Sequence, residues 1–254
     1  MLHPLKTPTA EDLRKNILST YYLLRMGIVV IAAALPTALL IYTFVYHGGL
    51  EQGSISAFYG AYDGAMRNWF VGSLCAIGAF LILYKGFSFK EDMALNIAGT
   101  AAILIAITPC ECWTDATLPK SWLHTIFAIA FFASMAFVCF TCALETIDLL
   151  PERDRERFRR RYRWIGGALI ASPGIALVLD TFLEQIQHAL QTTRGTGFVF
   201  AFEAIGVWVF AFYWFSKTQE YEISAAEDEA LKGHLDYDQT TRRLRHSVHL
   251  ANPM

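Results

Sequence analysis

The side chains best suited to chemistry in this chain include a short run in its second half. In "VLDTFLEQIQHAL", residues 178–190, Asp180, Glu184 and His188 follow one another at four-residue steps. On an α-helix each such step advances about 40° beyond a full turn, so the three side chains share one stripe. Two carboxylates and an imidazole on one stripe could ligate a hard or borderline metal ion or carry out acid–base chemistry. The end of any amphipathic helix that passes from lipid into water shows the same spacing. The sequence has no His-Glu-x-x-His zinc motif, no Gly-Lys-Ser/Thr phosphate loop, no Gly-x-Ser-x-Gly elbow and no dinucleotide fingerprint. His246 and His249 lie three apart with no third ligand nearby, which is weak evidence for a metal.

The elements that must position these residues follow from hydropathy. The chain has 254 residues, of which 54% are hydrophobic and 14% aromatic, and its net charge is −2. Its apolar residues fall in six blocks, at about 23–46, 68–86, 93–110, 122–147, 163–183 and 197–216. A helix needs about 20 apolar residues to cross the ~30 Å hydrocarbon layer. Backbone groups in lipid must be satisfied within the segment, so each block is expected to be a helix. The expected fold class is all-α: a polytopic integral membrane protein with six transmembrane helices in one bundle. Residues 1–22 form a cytoplasmic amphipathic segment, 23–216 the transmembrane domain and 217–254 a solvated cytoplasmic tail. With Lys6, Arg14 and Lys15, the N-terminus does not read as a cleavable signal peptide. "TAEDLRKNILSTYYLL" reads as a short amphipathic helix before the first span, with Thr9 as N-cap and Asp12 as its capping-box partner. The charge balance gives no reason to expect a nucleic-acid partner.

Basic residues set the orientation. "LPERDRERFRRRYRW", between blocks four and five, holds Arg153, Arg155, Arg157, Arg159, Arg160, Arg161 and Arg163. Lys85 and Lys90 lie in the 2–3 connection, whereas the opposite loops hold one basic residue each: Arg67, Lys120 and Arg194. The positive-inside rule then places both termini in the cytoplasm. The arginine loop has two readings, a site for anionic lipid headgroups or nucleotide phosphate, or a topology determinant with local ion pairs to Glu152, Asp154 and Glu156. The second is simpler. Pro36 and Pro173 predict bends in spans one and five. Small residues in spans three and four predict close helix contact. Trp69, Trp113, Trp122, Trp164 and Trp214 lie near span ends, as in an interfacial belt. Cys75, Cys139 and Cys142 read as packing residues, while Cys110 and Cys112 on the outer side are too close in sequence for an unstrained bridge.

This orientation carries polar residues from five spans into one outer layer. Asp180, Glu203, His124, Arg67 with Asn68, and Thr108 with Cys110 all fall there, beside a first outer loop containing Ser54, Ser56, Tyr59 and Asp63. Ionisable groups at membrane depth face a partner or a wet cavity. In one reading Asp180, Glu184, His188, His124 and Glu203 ligate a metal. In the other, Arg67 pairs with Glu203 or Asp180, while Glu184 and His188 emerge into water. The expected site is a layer of Arg67, His124, Asp180, Glu203 and Ser56 that receives a lipid headgroup, with no metal and no cofactor.

The stretch "GSISAFYGAYDGAMRNWFVGSLCAIGAFLILYKG" resembles a bacterial group of uncharacterised six-span membrane proteins, distantly similar to damage-regulated autophagy modulator-type proteins. Ser54-Ile55-Ser56, Arg67 and Phe70-Val71-Gly72 carry the likeness, which extends through "NIAGTAAILIAITP". It implies six spans, a bacterial plasma (inner) membrane as the location and a lipid-related setting, and no particular chemistry. A comparison with zinc membrane hydrolases of the ceramidase and adiponectin-receptor type fails, because the last span lacks their His-x-x-x-His. Three functions follow as expectations. The first is a non-catalytic, lipid-interacting membrane protein. The second is a membrane-embedded lipid hydrolase or transferase, metal-dependent or not, acting at the outer leaflet. The third is an accessory subunit of a larger membrane complex. Expected partners are membrane lipids, a membrane protein or a second copy of the chain.

Overall fold

Thr9 opens the first helix as the sequence predicts. Its hydroxyl accepts from the Asp12 amide at 3.2 Å, and the Asp12 carboxylate accepts from the Thr9 amide at 2.9 Å, a reciprocal capping box. The bond from the Thr9 amide also holds the Asp12 carboxyl below its ordinary pKa. No breaker separates the amphipathic segment from the apolar block, so helix α1 runs unbroken from Ala10 to His47 and ends at Gly48 in the left-handed region (φ 72°). The expected short helix and the first span are therefore one element.

The computed structural model describes residues 9–49, 53–108, 122–190, 197–238, 241 and 243–247, with side chains described at all of these except 63, 180, 181 and 183–190. After α1 come α2 (Arg67–Leu83), α3 (Phe89–Ile107), α4 (Trp122–Phe140), α5 (Glu152–Leu190), α6 (Phe198–Ser224) and the short α7 (Ala226–Leu231). Strands β1 (Leu235–Asp238) and β2 (Arg243–His246) then pair antiparallel, with Leu235 opposite His246. Among the described residues the protein is mostly helical, and this two-stranded ribbon is its one addition to an all-α fold. Four helices, α1, α5, α6 and α4 with the turns that follow it, are long and apolar enough to cross a membrane. Helix α2 is apolar but shorter, at 17 residues. The first turn of α3 carries Lys90, Glu91 and Asp92.

Each long helix packs against the next in sequence, and α6 closes back onto α1. Neighbours run antiparallel: α1 and α6 meet through Arg25 with Thr218 at one end and through Ala33 with Trp208 further along. Buried Ile28, Leu35, Ile77, Met135, Leu169 and Phe210 fill the ring. Small residues bring α2 and α3 into backbone contact. A Cβ on Gly78 would lie 2.6 Å from the Gly99 carbonyl oxygen, and one on Gly99 would lie 2.6 Å from that of Gly78. Ala94, Ala98, Ala101, Ala102 and Ala106 of α3 are buried, whereas Ala133 of α4 is exposed. On α4, Ala136 is buried and Ala128 and Ala130 pack against the core, so both helices contribute small residues to the contacts.

Pro36 sits inside α1 and removes one helical donor. Around it, the Ala33 carbonyl accepts from the Thr37 hydroxyl (2.7 Å) and the Trp208 indole (3.3 Å), while Trp69 donates to Leu35 (3.4 Å). Neighbouring helices thus hydrogen-bond to carbonyls beside that of Ala32, the one whose helical donor Pro36 removes. Trp122, the first residue of α4, and Trp164, where the arginine-rich part of α5 gives way to its apolar part, are exposed, but Trp214 is 1% exposed against Tyr84 and Tyr213. It belongs to the core because α6 continues to Ser224, beyond the apolar block that ends at 216.

The segment after 216 is folded against the arginine loop. The Leu244 amide donates to the Glu145 carbonyl at 2.9 Å, and Arg243 reaches both oxygens of Asp148 at 2.8 and 3.0 Å. Leu244 packs with Leu149, Tyr221 and Ala226, a small apolar cluster that pins a ribbon otherwise made of polar residues.

Candidate functional site

At the end away from the arginine loop, the predicted layer is built into the attachment of the first loop. Glu203, in the second turn of α6, accepts from the Ile55 amide at 2.6 Å, and the Phe200 amide donates to the Gly53 carbonyl at 2.7 Å. Ser56 lies 3.2 Å, hydroxyl to hydroxyl, from Ser54, whose oxygen also accepts from the Ala57 amide. At the far end of the loop, Arg67 donates through Nε to the Tyr59 carbonyl at 2.5 Å and stacks 5.1 Å over the Tyr59 ring. Ser56, Glu203 and Arg67 therefore share one loop, which they hold to α6 and α2. His124 does something else: its Nδ1 lies 2.9 Å from the Thr108 carbonyl and ties α4 to the end of α3. The backbone of Asp180 lies in α5, but its side chain and those of Glu184 and His188 fall outside the described residues, as do Cys110, Cys112, Trp113 and His249. Among the described residues, no group of three His, Cys, Asp or Glu side chains could hold a metal ion.

The densest buried polar cluster lies at the opposite end. Lys217 is 1% exposed and Glu220, one turn on, 0%. The Lys217 ammonium donates to the Thr146 hydroxyl at 2.8 Å and to Glu220 Oε2 at 3.0 Å. Glu220 also accepts from the hydroxyls of Thr146 and Tyr162. The Lys217 Nζ lies 4.6 Å from the centroid of the Tyr221 ring and 5.5 Å from that of Tyr162. Beside this pair, Arg25 of α1 bonds Glu227 and donates to the Thr218 hydroxyl at 3.3 Å, its guanidinium 5.0 Å from the centroid of the Tyr221 ring. Buried Glu91, in the first turn of α3, accepts from the Phe87 amide at 2.9 Å. Tyr84 of α2 closes the wall, its ring 5.0 Å from that of Trp214.

All six long helices or their flanking turns thus contribute to one cluster. Burying an ammonium and a carboxylate is costly unless each is paired and hydrogen-bonded. Here Glu220 has three donors and Lys217 has two oxygen acceptors and two aromatic faces. The chemical outcome is a fixed, buried ion pair that sets the register of α5, α6 and the turns after α4. Sequence reading missed it because each member sits at the end of an apolar block, where a charged residue ordinarily marks the water boundary. The available signal was aromatic: Tyr213, Trp214, Phe215 and Tyr221 bracket Lys217 and extend the apolar character of the helix past 216.

No family model, curated protein or solved structure matches the chain. Its function must therefore be argued from its own surfaces.

One surface feature has the chemistry of an amphiphile. Between α3 and α4 runs a groove of about 580 Å³. Its lining includes the polar residues Lys85, Asp92, Asn96 and Thr100 and apolar residues such as Ile97, Leu104, Phe127 and Ala130. Lys85 and Asp92 lie 4.0 Å apart at its mouth. Asn96 and Thr100 are one turn apart on α3, and neither side chain has a hydrogen-bond partner among the described residues.

Proposed function

We propose that this chain is a six-span integral membrane protein, with both termini on the cytoplasmic side of a bacterial plasma membrane, that binds a membrane lipid without turning it over. The observation that carries this reading is the groove between α3 and α4. Polar side chains at membrane depth require a partner, and Asn96 and Thr100 face the groove without one from the protein. The ester and glycerol oxygens of a phospholipid supply acceptors there. Lys85 and Asp92 suit its headgroup, and Ile97, Leu104 and Phe127 suit an acyl chain. The resemblance to lipid-remodelling membrane proteins is compatible with this reading.

The outer layer has a supporting place in this proposal. The partners of Ser56, Arg67, Glu203 and His124 described above favour a structural role for these residues; a headgroup on that layer would depend on Asp180. The test is lipid retention. Native mass spectrometry of the protein in a neutral detergent is expected to show one tightly held phospholipid. Thr100→Trp, which fills the groove from the exposed face of α3, is expected to release it with little change in melting temperature. Full retention by a folded Thr100→Trp variant, or no retained lipid in the wild type, would refute the proposal.

A further inference from the structure

We propose that the arginine-rich end carries a second site, specific for a phosphate group, formed between the start of α5 and the β-ribbon. A cavity of about 660 Å³ opens there, lined by Arg155 and Arg159 of α5, Arg243 and Arg245 of β2, and three carboxylates, Asp148, Glu152 and Glu156. Two periodicities aim these arginines at one place. Residues 155 and 159 are four apart on a helix, and 243 and 245 are two apart on a strand, so each pair shares a face. The two faces come together only because the ribbon docks on the 4–5 connection through Leu244 and Arg243.

With Asp238 beside Arg245, four carboxylates accompany the four arginines, so the site depends on which guanidinium keeps donors that no carboxylate holds. Arg243 is held by Asp148, Arg159 by Glu156 at 3.0 Å, and Arg245 by Asp238 at 3.3 Å. Arg155 differs: its Nε donates to the Leu150 carbonyl at 2.8 Å and its Nη2 to the Asp148 carbonyl at 2.9 Å. Carbonyls orient a guanidinium without neutralising it, and no carboxylate forms a salt bridge with Arg155 among the described residues. Its remaining N–H donors stay available beside the half-buried Arg159 and the exposed Arg245. Fixed guanidinium forks of this kind match the paired oxygens of a phosphate. Trp164 is 75% exposed nine residues after Arg155, so Arg155 lies about 13 Å along the helix from it, on the side away from the apolar part of α5. The same phosphate chemistry could come from an anionic phospholipid of the adjacent leaflet or from a soluble phosphate compound.

The experiment distinguishes these sources. The purified full chain in neutral detergent is titrated with phosphatidylglycerol, with phosphatidylcholine of the same acyl chains, and with inorganic phosphate at constant ionic strength. Binding is followed by native mass spectrometry and by the shift in melting temperature. Tighter binding of phosphatidylglycerol than of phosphatidylcholine, weakened about fivefold for each arginine removed in Arg159→Gln and Arg245→Gln, establishes the site with lipid as its source. Stabilisation by inorganic phosphate that is lost in the same variants, with the two lipids equivalent, establishes it with a soluble source. Equal binding of both lipids together with no response to phosphate overturns the proposal, as does an undiminished preference in the folded double variant. Arg245→Gln alone, on the exposed ribbon, serves if the double variant does not fold. The groove between α3 and α4 is read separately, because Thr100→Trp removes a bound lipid whatever its headgroup and leaves the phosphate preference intact.

Discussion

Lys217 and Glu220 show how one pair of residues can constrain a whole bundle. An ammonium at 1% exposure survives only because Glu220, Thr146 and two tyrosine rings replace the water it has lost. Removing one partner leaves the other charged and buried, which costs about 3–5 kcal/mol, whereas removing both costs much less than the sum. Glu220→Ala and Lys217→Met are each expected to lower the melting temperature in detergent sharply, and the double variant should recover part of the loss. Additive losses across this double-mutant cycle would show that the two groups are not coupled. Some of the penalty should persist in the double variant, because the hydroxyls of Tyr162 and Thr146 then lose their shared acceptor.

Among the elements, the contact between α2 and α3 is the least tolerant of added volume. At the Gly78–Gly99 crossing the two backbones touch, and any Cβ meets a carbonyl oxygen rather than a flexible side chain that could yield. Overpacking of this kind costs about 1–3 kcal/mol. Gly78→Val should therefore destabilise the protein measurably in thermal unfolding, while Gly72→Val, with no atom within 4 Å of its Cβ position, should change little. Equal effects at the two positions would argue against the close crossing. The sequence showed the concentration of alanine and glycine in span three, and the structure places those residues inward. It did not show that α4 turns Ala133 outward while burying Ala136, because composition says nothing about which face of a helix meets its neighbour.

For the whole molecule, the six-span reading makes a topological prediction. With Cys110 and Cys112 replaced by serine, a cysteine at Gly49 is expected to react with an impermeant maleimide in intact cells. A cysteine at Ser247 should react only after the membrane is opened. Labelling of both from the same side would require an even number of crossings between them, where six spans give five, and would end the six-span proposal.

The apolar blocks were legible in the sequence because crossing hydrocarbon requires long runs of side chains that tolerate lipid, and such runs are a one-dimensional property. All six long helices fall on those blocks, and Thr9 with Asp12 forms the cap that their spacing announces. The arginine loop was legible as a charged boundary for the same reason. Which polar residues meet was decided only by the tertiary structure. Arg25, Glu91, Thr146, Tyr162, Lys217 and Glu220 are scattered across nearly 200 positions, and each reads locally as a helix end. They form one buried cluster because antiparallel helices in a closed ring bring alternate ends together, and because aromatic side chains around Lys217 exclude the water that a charged residue at a helix end would otherwise retain.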